Sequence, residues 1–357
     1  MNSKPTIAVL YGGKSTEHEV SVHSATTVCR TLEQLGYGVL HVFISKEGYW
    51  FLQHACSEAT AQDEPVTPVV SAQGTLFVTS KKQFLRPDVF FPVLHGSNGE
   101  DGTLQGLLES LDVPYVGCGV LASAMGMDKE ISKLIASSIG VPTLPHLKLS
   151  DTHYNKTAAE KWAEQTGYPV FVKAMCLGSS VGVTKVKTPE QLHPAIEYAF
   201  RFDSHVLVEK GLEKPQEIFC GLLGDGNQVR SSECGELKTL NSEFFDYEAK
   251  YITVGGCETQ VPANLPAQTR SEIRRSSELI FKQLRGSGLA RADFLVDSQG
   301  KAWFSEINTI PGMSETSLYP QLFEAAGLKY ADVLEELIAI ARRVHARKKA
   351  LSTEHIQ

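Results

Sequence analysis

Arg291, Asp293, Glu306 and Asn308 are the residues of this chain whose types and spacing could act together. Ala290 to Val296 alternates as a strand, Asp297-Ser-Gln-Gly300 reads as a turn, and Ala302 to Ile307 alternates again, so the segment predicts a hairpin. Side chains repeat every second residue along a strand, which puts Arg291 with Asp293 on one face and Glu306 with Asn308 on one face of the neighbour. Hard oxygen donors without His or Cys beside them suit Mg²⁺, which completes its shell with water and phosphate oxygens. An Asp and a Glu alone would read as a solvated hairpin face. With the Arg, the Asn and the Pro311-Gly312 turn they point to a magnesium site for a nucleoside triphosphate.

Phosphates need a loop to hold them. Gly12-Gly13-Lys14-Ser15-Thr16 invites a Walker A reading, but the first glycine of that motif would fall on Ala8, inside a strand. Gly117-Cys-Gly119-Val-Leu-Ala122 lacks the acid-ended second strand that a dinucleotide fingerprint requires, and reads as a turn. Lys173-Ala-Met-Cys-Leu-Gly178-Ser179-Ser180-Val181-Gly182 fits better. Its small residues let backbone N–H groups approach phosphate oxygens, and Lys173 adds a cation. Lys129, in the first turn of its helix, brings a second cation beside a positive helix end.

The elements that must position these groups follow from periodicity. Thr6 to Leu10 is a buried strand, Gly12-Gly13 a turn, and Thr16 with Glu19 matches a capping box that opens a helix ending near Gly36. A strand from Gly38 to Ile44, a loop-rich insert through about Pro87 and a strand from Val89 to Leu94 complete a parallel α/β unit. Asp128 caps a helix with an apolar stripe of Ile131, Leu134, Ile135 and Ile139. From there the texture becomes α+β with antiparallel pairing: Pro169 to Ala174, Gly182 to Val186, Val206 to Glu209 and Ile218 to Leu223 read as strands. Asn241 to Gln260 has no clear period and reads as a functional loop.

A chain of 357 residues holds two or three domains and a large core. The formal charge of −7, with Lys and Arg dispersed, argues against a nucleic-acid surface. Arg342 to Lys349 is locally basic, but it ends a helical pattern (Val333, Leu337, Ile340, Ala341, Val344), so its cations read as solvated partners of the helix dipole. Seven cysteines with no C-x-x-C pair suggest neither a disulfide frame nor a zinc site and fit a reducing cytosol. Without a signal-length apolar core or a spanning segment, a cytoplasmic protein with no membrane partner is expected.

Taken together, several motifs resemble one family, the ATP-grasp D-alanine:D-alanine ligases. They are Gly12-Gly-Lys-Ser-Thr-Glu17-His-Glu-Val-Ser21, His95-Gly with Gly99-Glu-Asp-Gly102, Met127-Asp-Lys129, Gly178-Ser-Ser-Val-Gly182, Asp246-Tyr-Glu-Ala-Lys-Tyr251, and Arg291-x-Asp293 with Glu306-x-Asn308-Thr-x-Pro-Gly312. Their order and spacing span nearly the whole chain. The resemblance implies an ATP-grasp fold of three domains: 1–127, an α/β substrate-binding domain; 128–213, the central domain; and 214–347, carrying the metal site and a lid loop at 241–260. ATP would be clamped between the last two, with two Mg²⁺ or Mn²⁺ ions, in a homodimer.

The same resemblance implies roles residue by residue. Glu17 would face the ammonium of the first D-alanine and His95 its carboxylate; Ser179 and Tyr251 would link Glu17 to the closing loop, with Lys250 beside the transferred phosphate. Lys129, Lys173 and Ser180 would hold phosphates, Glu209, Lys210 and Leu212 the adenine, and Glu217 the ribose. Arg291 and the Gly312 N–H would stabilise an oxyanion, Ser317 would contact the second substrate's carboxylate, and Asp293, Glu306 and Asn308 would bind metal. The implied reaction joins two D-alanines through an acyl phosphate, releasing ADP and phosphate for peptidoglycan precursor synthesis. Rival readings are a D-alanine:D-lactate ligase, against which the intact 246–251 segment argues, and a non-catalytic ATP-binding sensor, which would not need Glu17, Tyr251 and Arg291.

Overall fold

The computed structural model describes residues 4–58, 60, 63–71, 74–226, 228–239 and 257–352. Three sheets follow one another along the chain. The first contains β1 (Thr6–Gly12), β2 (Gly38–Ile44), β3 (Trp50–Gln53), β4 (Glu64–Ser71), β5 (Gly74–Thr79), β6 (Phe84–Leu85) and β7 (Val89–Pro92), in the order β6-β5-β4-β3-β2-β1-β7. The expected parallel pairing holds for β1 with β2 and β7. The insert before Pro87 is not loop-rich: β3 to β6 extend the sheet as antiparallel neighbours. Its residues alternate weakly, and strand pairing rather than intrinsic pattern decides their state.

The helix after β1, α1 (His18–Gln34), departs from the capping-box expectation. Glu17 occupies the N-cap position without a side-chain cap, and Glu19 pairs with Lys46 instead. Ser21 ties the helix start to the sheet: its Oγ accepts from Gly12 N at 2.8 Å and donates to Val93 O at 2.6 Å.

Helices α2 (Thr103–Ser110), α3 (Val120–Met127) and α4 (Lys129–Ser138) lead out of this unit. Asp128 caps α4 as expected, accepting from Ile131 N at 2.9 Å. The predicted apolar stripe holds only in part: Ile135 and Ile139 pack, half-buried, against the core, but Leu134 is exposed, while Lys129, Ser132, Lys133 and Ala136 are buried. Pairing needs explain this departure, because the buried lysines meet acids across the fold.

The second sheet, ordered β10-β9-β11-β8, is built of β8 (His146–Ser150), β9 (Val170–Ala174), β10 (Val183–Val186) and β11 (His205–Lys210), all antiparallel, with α5 (Lys156–Thr166) and α6 (Leu192–Ala199) sharing its core. The third contains β12 (Gln216–Asp225), β13 (Gln228–Thr239), β14 (Cys257–Gln260), β15 (Ser287–Val296) and β16 (Ala302–Asn308), in the order β14-β13-β12-β15-β16. The expected long loop therefore ends in a strand at 257–260, and its residues 241–256 lie outside those described. Helix α7 (Ala267–Gln283) covers this sheet, and α8 (Leu318–Ala325) with α9 (Tyr330–Lys349) completes the chain. Val333, Leu334 and Leu337 of α9 join Ile7, Val9 and Val28 in one core, so the last helix locks the first unit to the third. The basic end of α9 is not simply solvated. Arg343 reaches Asp225 at 2.9 Å and Lys349 reaches Asp112 at 3.0 Å. Among the described residues, no helix is long and apolar enough to cross a membrane.

Candidate active site

The hairpin of β15 and β16 forms as its alternation predicts, and register brings the four polar residues together. Arg291 faces Asn308 and Asp293 faces Glu306 across the ladder, with a bulge following Asp293. Asn308 Nδ2 donates to Asp293 Oδ2 at 3.0 Å, and the Arg291 guanidinium lies 5.1 Å from the Phe219 ring centre. Phe219 is the β12 partner of Asp293, so the sheet register sets this ring beside the guanidinium. A carboxylate, a second carboxylate and an amide oxygen on adjacent strands make a hard donor set suited to a divalent cation with phosphate oxygens in its shell. Zinc or copper would prefer softer ligands.

Lys129 opens α4 next to this hairpin. Its Nζ donates to Leu177 O at 2.5 Å and lies 3.4 Å from Glu306 Oε2, which joins the loop after β9 to the metal-type residues. In that loop Ser179 and Ser180 both take positive φ, at 51° and 59°, and the Ser179 hydroxyl donates to Glu17. The loop thus bridges Glu17 of the N-terminal unit and Lys129 of α4. Left-handed backbone at two consecutive non-glycine residues is costly and turns successive N–H groups toward one side.

Lys173 and Lys133 approach the two oxygens of Glu209, at 2.6 and 2.5 Å respectively. Burial alone would raise the Glu209 carboxyl, but the two ammonium groups hold it at about 2. Burial opposes the charge of Lys173, which Glu209 nevertheless keeps above its ordinary value; for Lys133, burial wins and lowers it. Glu209 is therefore buried between two lysines, not open to the cleft. Lys210, exposed, and Leu212, half-buried, follow at the end of β11, apart from the residues lining the cleft.

Glu17, His95 and Glu100 form the other side. His95 Nδ1 lies 2.9 Å from Ile310 O and Nε2 lies 3.2 Å from Ser24 Oγ; burial lowers its imidazole below the ordinary range. Glu100 accepts from Gly96 N at 2.8 Å and Ile310 N at 2.9 Å. Burial first, and the Glu17 charge second, push the Glu100 carboxyl up to about 8 against those two hydrogen bonds. Ser317 Oγ accepts from Ser314 N at 3.0 Å beneath Gly312, holding the turn after β16.

One cleft of about 710 Å³ is lined by Glu17, Ser179 and His95 together with Glu217, Arg291, Asp293, Glu306, Asn308, Gly312 and Ser317. A smaller cavity beside it contains Lys129, Gly178 and Glu306. Lys250 and Tyr251 lie outside the described residues. Two residues here were missed from sequence. Lys133 stands four positions after Lys129, a spacing that places both on one helix face and could have flagged it. Glu100 lies inside a quoted motif, but only its burial gives it an unusual proton affinity.

The chain is similar to known proteins over nearly its whole length. Residues 6–118 fit a family model described as D-ala D-ala ligase N-terminus, and residues 135–339 one described as D-ala D-ala ligase C-terminus. The D-alanine–D-alanine ligase of Thermoanaerobacter sp. (strain X514) is 41% identical over 356 residues, covering 97% of this chain and 98% of that protein. The solved D-alanine–D-alanine ligase from Coxiella burnetii aligns with a TM-score of 0.86 at 32% identity, covering 98% of this chain and 97% of the other. The VanG D-Ala:D-Ser ligase from Enterococcus faecalis aligns with a TM-score of 0.83 at 34% identity, over 95% and 99% of the two chains.

Proposed function

The chain belongs to the D-alanine–D-alanine ligase family and joins two D-alanines with ATP for peptidoglycan precursor synthesis, and we propose that the cleft residues, with neighbours beyond its lining, divide that reaction as follows. Glu17, held by Ser179 and the start of α1, receives the ammonium of the first D-alanine, and His95 stands by its carboxylate. A carboxylate oxygen then attacks the γ-phosphorus, the bond to ADP breaks, and an acyl phosphate forms. Lys129 and Lys173 face the phosphates with Ser180, while Glu209 fixes the direction of Lys173 and Glu217 lies toward the ribose. Lys210 and Leu212 border the adenine.

In the second step the amine of another D-alanine, having lost its proton, attacks the acyl carbon and displaces phosphate. Arg291 and the Gly312 N–H stabilise the oxyanion, and Ser317 meets the second carboxylate. Asp293, Glu306 and Asn308 would hold the divalent ions, two Mg²⁺ or Mn²⁺, which supply charge neutralisation at the phosphates. The proposed lid at 241–260, with Lys250 and Tyr251, would exclude water from the acyl phosphate.

We further propose units at 1–127, 128–213 and 214–347, with α4 as the seam: Lys133 donates to Phe304 O at 3.3 Å while pairing with Glu209. A homodimer in the cytoplasm, without nucleic-acid or membrane partners, completes the reading.

The observation that carries it is that Glu17 and the Asp293–Glu306–Asn308 group open into the same cleft, as transfer of phosphate to an amino acid requires. Coupled ADP release is the test. Release that depends on D-alanine, with orthophosphate and D-alanyl-D-alanine as products, is expected. D-Alanine-independent ADP release, or depsipeptide from added D-lactate as the main product, would overturn it.

A further inference from the structure

A second cluster of chemically active side chains lies apart from the cleft lining. Cys29 on α1, His41 on β2 and Cys56 after β3 point their ligand atoms at one another, all within 4.8 Å. The two sulfurs are 3.3 Å apart, and His41 Nδ1 lies 3.4 Å from Cys56 Sγ. Cys29 and His41 are buried and Cys56 is half-buried.

We propose that Cys29, His41 and Cys56 form a binding site for one thiophilic divalent cation, with Zn²⁺ the best fit and water in the fourth position. A tetrahedral ion with Zn–S near 2.3 Å and Zn–N near 2.0–2.1 Å spaces its sulfurs by about 3.8 Å and sulfur from nitrogen by about 3.5 Å. The distance from His41 Nδ1 to Cys56 Sγ already matches, and Cys29 Sγ lies within 4.8 Å of the imidazole. The sulfurs need to part by about 0.5 Å, a shift within reach of small rotations at two cysteines.

Glu33 strengthens the case. Its Oε1 lies 3.0 Å from His41 Nε2, on the side away from the sulfurs. A carboxylate there holds the proton on Nε2 and leaves the Nδ1 lone pair facing the cysteines, the outer-shell arrangement that metal-binding histidines use. Binding replaces two S–H protons by one M²⁺, so two protons leave and the ion with two thiolates is neutral, which suits a half-buried position. Soft sulfur and imidazole donors also separate this site from the oxygen donors of the cleft, which favour Mg²⁺.

The test uses the whole reduced chain, freed of metal, titrated with Co²⁺ and then Zn²⁺. One equivalent of Co²⁺ should raise a near-ultraviolet thiolate-to-cobalt charge-transfer band with the visible bands of a tetrahedral ion, and one equivalent of Zn²⁺ should abolish both. Cobalt held by Asp293 and Glu306 gives no sulfur band. Cys29→Ser and Cys56→Ser should each remove most of the band. Glu33→Gln alters an exposed side chain and should keep the spectrum while weakening Zn²⁺ affinity about 10-fold or more. Absence of a sulfur band at one equivalent, or a band that survives both cysteine substitutions, would overturn the site.

Discussion

Arg291 grips both carboxylate oxygens of Asp293, Nε to Oδ1 and Nη2 to Oδ2, each at 2.7 Å. The guanidinium proposed for the oxyanion and the carboxylate proposed for the divalent ion are therefore paired with each other. An ion at Asp293 competes for those lone pairs and leaves the guanidinium available for substrate.

Asp293→Asn removes both roles at once. Turnover should fall by about 10²–10³-fold, the usual loss when transition-state charge stabilisation is removed. ATP affinity, measured by calorimetry without substrate, should change far less, because adenine and ribose contacts remain. Equal losses in turnover and ATP binding would detach Asp293 from phosphoryl transfer.

The Lys133–Glu209–Lys173 triad makes an ordering prediction about stability. Removing Lys133 leaves one matched buried pair; removing Glu209 leaves two ammonium groups without their counter-charge. Breaking a buried pair costs about 3–5 kcal/mol. Glu209→Gln should therefore destabilise more than Lys133→Met, read as urea midpoints at unchanged slope. The reverse order would mean that the triad is not held by charge.

How much of this was legible beforehand depended on distance along the chain. The hairpin of Arg291, Asp293, Glu306 and Asn308 was readable because its register is local: alternation plus one turn places all four. The start of α1 was not, since the Thr16–Glu19 capping signal was overridden by Ser21, which binds Gly12 and Val93, the latter 72 residues away. On α4 the apolar stripe misled because Lys133 is buried through its pairing with Glu209, 76 positions on. Roles that rest on pairing between distant elements leave no periodic trace in sequence; for Lys133 the one local signal was its four-residue step from Lys129, which is itself outside the triad.

Glu100 should report the arrival of the first substrate. Its folded carboxyl, at about 8 against an ordinary 4.5, keeps a proton that the unfolded chain loses between those values. Its stabilising contribution is thus full below pH 4.5 and lost as pH rises toward 8, so Glu100→Gln should flatten the stability curve in that window. An ammonium entering beside Glu17 favours the ionised form, so D-alanine binding near pH 7 should release protons. Calorimetry in buffers of differing ionisation enthalpy measures this. Proton uptake, or release unchanged in Glu100→Gln, would contradict it.

Glycine at 178 is demanded by space rather than by backbone angle. A Cβ there would sit 2.9 Å from Glu17 Oε2 and 3.5 Å from its Cδ, so alanine must push the carboxylate aside. If Glu17 receives the first ammonium, Gly178→Ala should raise the D-alanine KM by about 10-fold, less than the roughly 100-fold that a misplacement of about 1 Å can cost, because relieving a 2.9 Å contact moves the carboxylate about half as far. ATP affinity should be nearly unchanged, since the displaced group is not a phosphate ligand. Gly106→Ala is the control: it lies within α2, its Cβ would meet nothing within 4 Å, and it should stabilise by about 0.4–1 kcal/mol without altering either substrate. An unchanged D-alanine dependence in Gly178→Ala would remove Glu17 from the ammonium site. A loss confined to ATP binding would place the Ser179 loop with the nucleotide alone.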